Sequence, residues 1–140
     1  MLRKHVLQTL SADGCKTQAI ESELMGVGIP DAYVCVPATL FLPSIPCWIE
    51  FKVCPEGDVF KRAVTFEPGQ YAWLMDNVRH GGTSYIFVQH QKGYSVTLAQ
   101  HIDPLSRTLD VAWTTTFKLL SDVLLVAVFR DLFFHEHRRK

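Results

Sequence analysis

Apolar and polar residues alternate most cleanly between Cys47 and Val53. Cys47, Ile49, Phe51 and Val53 fall on one side, and Trp48, Glu50 and Lys52 on the other. A period of two is that of a β-strand. Asp31–Val36 reads as a second strand, limited by Pro37, and residues 37–46, with Pro37, Pro43 and Pro46, read as the loop between them. Leu2–Leu10 carries Leu2, Val6, Leu7 and Leu10 at helical spacing and is stopped by Gly14. Thr17–Glu21 is a short candidate strand. Pro68 suits the first turn of a helix that runs to about His80, with Gly81-Gly82 as its stop. Thr83–Gln89 and Tyr94–Leu98 form a hairpin candidate around Lys92-Gly93. Residues 115–135 read as a helix, although Val123–Phe129 also fits a buried strand. This order predicts an α/β fold: a single mixed β-sheet flanked by helices.

A chain of 140 residues corresponds to one domain spanning 1–140. Hydrophobic residues make up 48 % and charged residues 20 %, enough to build a core. Fourteen basic groups balance fourteen acidic ones, which argues against binding polyanions by bulk charge. The distribution is uneven: residues 1–60 hold four basic and seven acidic groups, residues 61–140 ten and seven. The first half is therefore the place to seek a cation site, the second the place to seek phosphate contacts. Cys15, Cys35, Cys47 and Cys54 lack CxxC or Cys/His zinc spacing and are expected to be reduced thiols of a cytoplasmic protein. The charged stretch Met1–Leu10 does not read as a secretory leader, and the apolar run Val123–Phe129 is far shorter than a membrane span.

Glu50 and Lys52 lie on the same side of a strand whose other side is apolar, so both face a cleft or a covering element. If the strand opened by Asp31 pairs with this one, the Asp31 and Glu50 carboxylates converge. Two carboxylates and the backbone carbonyl of Phe51 make a hard-oxygen site for Mg²⁺ or Mn²⁺. Lys52 would favour the ionised carboxylates and hold or activate a water, a set suited to phosphodiester hydrolysis. The competing reading is an exposed Glu–Lys pair and an unrelated turn aspartate.

Gly28-Ile29-Pro30-Asp31, then Trp48-Ile49-Glu50-Phe51-Lys52, then Pro68-Gly69-Gln70 with Trp73-Leu74, resembles the PD-(D/E)xK nuclease superfamily, most of all its virus-type replication-repair (VRR-NUC) branch and related small phage nucleases. The resemblance covers about residues 17–90. It implies a restriction-endonuclease-like αβββαβ core and a metal-dependent DNA endonuclease of phage-type replication, recombination or repair, acting on branched, junction or flap DNA. It implies Asp31 and Glu50 as metal ligands, Lys52 as the catalytic lysine and Gln70 as the helix glutamine beside the site. Glu21, or Glu23 two residues on, would be an additional acidic group that completes the metal shell. A non-catalytic nucleic-acid-binding module with the same fold is the alternative.

Other features add less. Lys61-Arg62, in the loop after the Glu50 strand, is the better candidate for phosphate contacts. His135-Glu136-His137 and Arg138-Arg139-Lys140 read as a solvated terminus. Gly26-Val27-Gly28 is a tight turn. A helix over 117–134 with twelve apolar residues, Phe129 and Phe133 among them, exceeds what a small domain can cover, and it predicts a two-fold homodimer that buries part of it.

Overall fold

The computed structural model describes residues 2–21, 28–54, 63–90, 93–110, 115–118, 120 and 123–138. Its elements are α1 (Leu2–Ala12), β1 (Lys16–Ala19), β2 (Ala32–Val36), β3 (Ile45–Val53), β4 (Ala63–Thr65), α2 (Pro68–Arg79), β5 (Thr83–His90), β6 (Gly93–Leu98), a 3₁₀ turn (Ala99–His101), β7 (Thr108–Asp110), β8 (Thr115–Phe117) and α3 (Leu125–Arg138). Six strands form one mixed sheet in the order β1-β2-β3-β5-β6-β8. Among the described strands only β3 and β5 pair in parallel, and the crossover between them carries α2. The run α1-β1-β2-β3-α2-β5 is the core order read from the sequence.

Each face of the sheet has its own core. Ala32, Val34, Val36, Ile45, Cys47 and Ile49 alternate inward beneath α1 and α3 and are all buried. On the opposite face, Leu74 of α2 packs with Ile86 and Val88 of β5, Ile102, and Val64 and Leu109 of a small β4–β7 ribbon. All four cysteines are free thiols. Among the described residues no helix is long and apolar enough to cross a membrane.

Two expectations change. The loop after β2 is shorter than the prolines suggested, because Pro46 enters β3 opposite Cys35 with its side chain exposed. The C-terminal helix begins at Leu125 rather than near 115. Thr115–Phe117 is instead a strand paired with β6, as its β-branched and aromatic residues favour. The shortened helix covers the sheet of its own chain. Phe129 is fully buried and stacks on Tyr85 with centroids 4.4 Å apart, and the Tyr85 hydroxyl donates to the Phe129 carbonyl at 2.6 Å. Leu132 and Phe133 pack, half-buried, against the same core. Among the described apolar residues of this segment only Leu124 is largely exposed, so the cover that a partner was expected to give Phe129 comes from the same chain.

Candidate active site

Asp31 leads into β2 from the turn at Gly28. Its carbonyl accepts the Ile20 N–H at 2.8 Å, which ties it to the end of β1. Its side chain turns to β3, where Oδ2 accepts the Phe51 N–H at 2.9 Å. With Ala32 opposite Ile49, the antiparallel register sets Asp31 across from Glu50. A strand residue directs its N–H and C=O to the same edge, so the Phe51 carbonyl also points to the side of Asp31, beyond the end of the β2 ladder.

Glu50 is only 3 % exposed. Its Oε1 accepts from Gln70 Nε2 at 3.3 Å, while Oε2 is buried with no hydrogen-bond partner among the described residues. Burial first, and then the Asp31 carboxyl beside it, push the Glu50 carboxyl up to about 8, against the opposing pull of Lys52. The sequence expectation that Lys52 would hold both carboxylates ionised is therefore corrected at Glu50, where desolvation and like charge outweigh the ammonium.

Gln70 joins the charged groups. Its Oε1 accepts the Glu67 N–H at 3.1 Å, which fixes the amide orientation because a backbone N–H can only donate. The same oxygen accepts from Lys52 Nζ at 2.9 Å, and Nε2 is left to face Glu50. Lys52 Nζ also lies 4.8 Å from the Phe66 ring centroid, a cation–π contact. The first turn of α2 thus holds lysine and glutamate at a set spacing.

A glycine pair, not anticipated as a contact, braces this arrangement. A Cβ on Gly28 would sit 2.4 Å from the Gly69 carbonyl oxygen, and Gly28 has φ +93°. Only glycine allows the turn before Asp31 to lie against the start of α2. The signal lay in the sequence as two separate Gly-containing motifs, but their meeting is tertiary.

The structure brings Asp31, Glu50, Phe51, Lys52 and Gln70 together. It does not bring Glu21, whose largely exposed side chain reaches Arg3 of α1 at 3.6 Å. Glu23, Lys61 and Arg62 lie outside the described residues. Glu136 contacts His101 at 3.6 Å. Among the described residues no three His, Cys, Asp or Glu side chains converge as a metal cluster. The donor set nonetheless fits a hard divalent cation. It offers two carboxyls and a carbonyl, one Glu50 oxygen lacks a donor among the described residues, and a cation in place of the Glu50 proton would relieve the burial and like charge that raise its pKa.

No family model and no curated protein sequence matches the chain. The fold is similar to the solved structure of Hjc, a Holliday junction resolvase from the archaeal hyperthermophile Archaeoglobus fulgidus. The TM-score is 0.62 at 13 % identity, over 90 % of this chain and 95 % of that one. The likeness shows a restriction-endonuclease-like fold.

Proposed function

We propose that this chain is a divalent-metal-dependent nuclease that hydrolyses DNA phosphodiester bonds with a preference for branched structures. One observation carries the reading: the Glu50 and Asp31 carboxyls side by side, Glu50 buried with Oε2 lacking a donor among the described residues, on the sheet face that also presents Lys52. Without a cation the pair stays buried only with Glu50 holding a proton beside Asp31, a proton that a bound cation would replace. The fold's likeness to a Holliday junction resolvase supports the choice of branched DNA. The setting in phage-type replication, recombination or repair rests on the motif resemblance.

In this reading Asp31 and Glu50 hold the cation, with the Phe51 carbonyl as a further oxygen. When bound, Mg²⁺ or Mn²⁺ offsets phosphate charge and lowers the pKa of a water. Lys52 Nζ orients the attacking water or the phosphate. Gln70 keeps Lys52 and Glu50 apart by accepting from one and donating to the other, so neither is consumed in a direct ion pair. Glu21 has no part in the ligand set. Cutting a junction on two strands requires two copies of the site, and a two-fold pair formed away from Phe129 belongs to this proposal.

Labelled four-way, flap, nicked and linear DNA of matched sequence, each incubated with Mg²⁺, Mn²⁺ or EDTA, tests it. Cleavage with either metal, strongest on a branched substrate and absent in EDTA, is expected. Full cleavage in excess chelator, or none on any DNA, overturns it.

A further inference from the structure

The sheet face that carries Glu50 is covered unevenly. Over β5, α2 closes it: Asn77 Nδ2 donates to the Oγ of fully buried Ser84 at 2.8 Å. Over β1, β2 and the first half of β3 the described side chains of this face are exposed or half-buried. Gln18, Tyr33 and Trp48 are register partners in one row; Lys16, Cys35 and Pro46 form the next. Lys16, Gln18 and Pro46 are exposed, and Tyr33, Cys35 and Trp48 are half-buried. A face left only to water would not carry Tyr and Trp side by side. Here the Tyr33 and Trp48 rings pack edge-on at 5.3 Å, and Trp73 of α2 supports Trp48 at 5.1 Å. Tyr33 follows Asp31 by two residues and Trp48 precedes Glu50 by two, so this row starts one pleat, roughly 6.6 Å, from the carboxylates.

We infer that this β1–β3 face, through Tyr33, Trp48 and Lys16, is a platform for an unpaired strand of the DNA substrate, whose bases stack on the two rings and whose backbone runs past Lys16. The inference rests on the nuclease reading of the carboxylate pair and names the feature of a branched substrate that the site selects. Stacking suits this surface because every base offers a π face, while Lys16, the one exposed cation among its described residues, is too little charge to hold a duplex by its phosphates alone. Trp73 acts through Trp48 and is a positioning residue.

The test is binding of fluorescein-labelled oligothymidine and of a blunt duplex to the full chain in EDTA, where no cleavage occurs, read by anisotropy. The wild type binds the single strand more tightly than the duplex. Tyr33→Ser weakens single-strand binding at least about fivefold, and Tyr33→Phe restores it. Lys16→Glu, at an exposed position that leaves folding intact, weakens it and lowers the salt slope by about one. If Tyr33→Ser loses cooperative unfolding, Lys16→Glu and Tyr33→Phe still decide the matter. Equal binding of strand and duplex by the wild type, or an unchanged affinity and salt slope in Lys16→Glu, overturns the platform. Single-strand binding that depends on Tyr33 and Lys16 without cleavage of any DNA would overturn the nuclease reading and leave the platform standing. Metal-dependent cleavage without that dependence would do the reverse.

Discussion

Burial makes Glu50 a better proton holder in the folded chain than in the unfolded one, and stability must then slope with pH. Its carboxyl moves from an ordinary value of 4.5 to about 8. Between those two values the folded state binds more protons at this group, so the contribution of Glu50 to stability is full below about 4.5 and is lost as pH rises through the window to 8. In EDTA, Glu50→Gln should therefore gain in unfolding temperature relative to the wild type at pH 8 and gain little at pH 5. Mg²⁺ should raise the wild-type midpoint more at pH 8 than at pH 6, because a proton competes with the cation for the same carboxyl. A wild-type midpoint insensitive to pH in EDTA would contradict the assigned burial. On the proposed nuclease reading, cleavage depends on the same residues. Asp31→Asn, Glu50→Gln and Lys52→Ala should each reduce cleavage about 10³-fold, equivalent to roughly 4 kcal/mol of transition-state stabilisation, in proteins that remain folded. Gln70→Ala should cost only about 10–100-fold, as it orients charges without carrying one. Cleavage rates of purified variants, alongside their circular dichroism, decide between these roles.

Among the elements, the contact between the Gly28 turn and the start of α2 sets the geometry of the site. Gly28→Ala forces a side chain against the Gly69 carbonyl in a left-handed backbone. It should destabilise the fold by about 1–3 kcal/mol in urea titration and lower cleavage more than stability alone explains. Sequence periodicity revealed the elements that make the site: the alternation in 47–53 is β3, and Pro68 with Gly81-Gly82 bounds α2 to within a residue or so. Periodicity could not separate Thr115–Phe117 from the helix that follows, because a short apolar run fits either period. The β4–β7 ribbon also went unseen; its strands have three residues each, too few to show alternation. At the site, Asp31, Glu50 and Lys52 were legible because their spacing on known strands forces convergence. The direction of Glu21 was not legible, because it faces Arg3, eighteen positions away in α1, and no local pattern reports that pairing.

At the scale of the whole molecule, two cores lie on either side of one sheet, the described side chains of one face over β1–β3 stay exposed or half-buried up to Trp48, and α3 covers the other face from within the chain. Phe129→Ala should therefore lower stability by about 3–5 kcal/mol, the cost of a buried aromatic truncation. Its unfolding midpoint should not depend on protein concentration any more than that of the wild type, as measured by calorimetry at two concentrations. A loss that grows on dilution would place Phe129 in a subunit interface instead.

In the proposed function Asp31 and Glu50 together hold a divalent cation. Iron-directed cleavage of the protein itself tests it without dependence on DNA affinity. Fe²⁺ exchanged into the site and treated with ascorbate and peroxide should cut the chain near residues 31 and 50, as read by mass spectrometry. Excess Mg²⁺ or Glu50→Gln should suppress both cuts together. Cuts at His135–His137 in place of these, or cuts near 31 and 50 that persist in Glu50→Gln, would contradict the account.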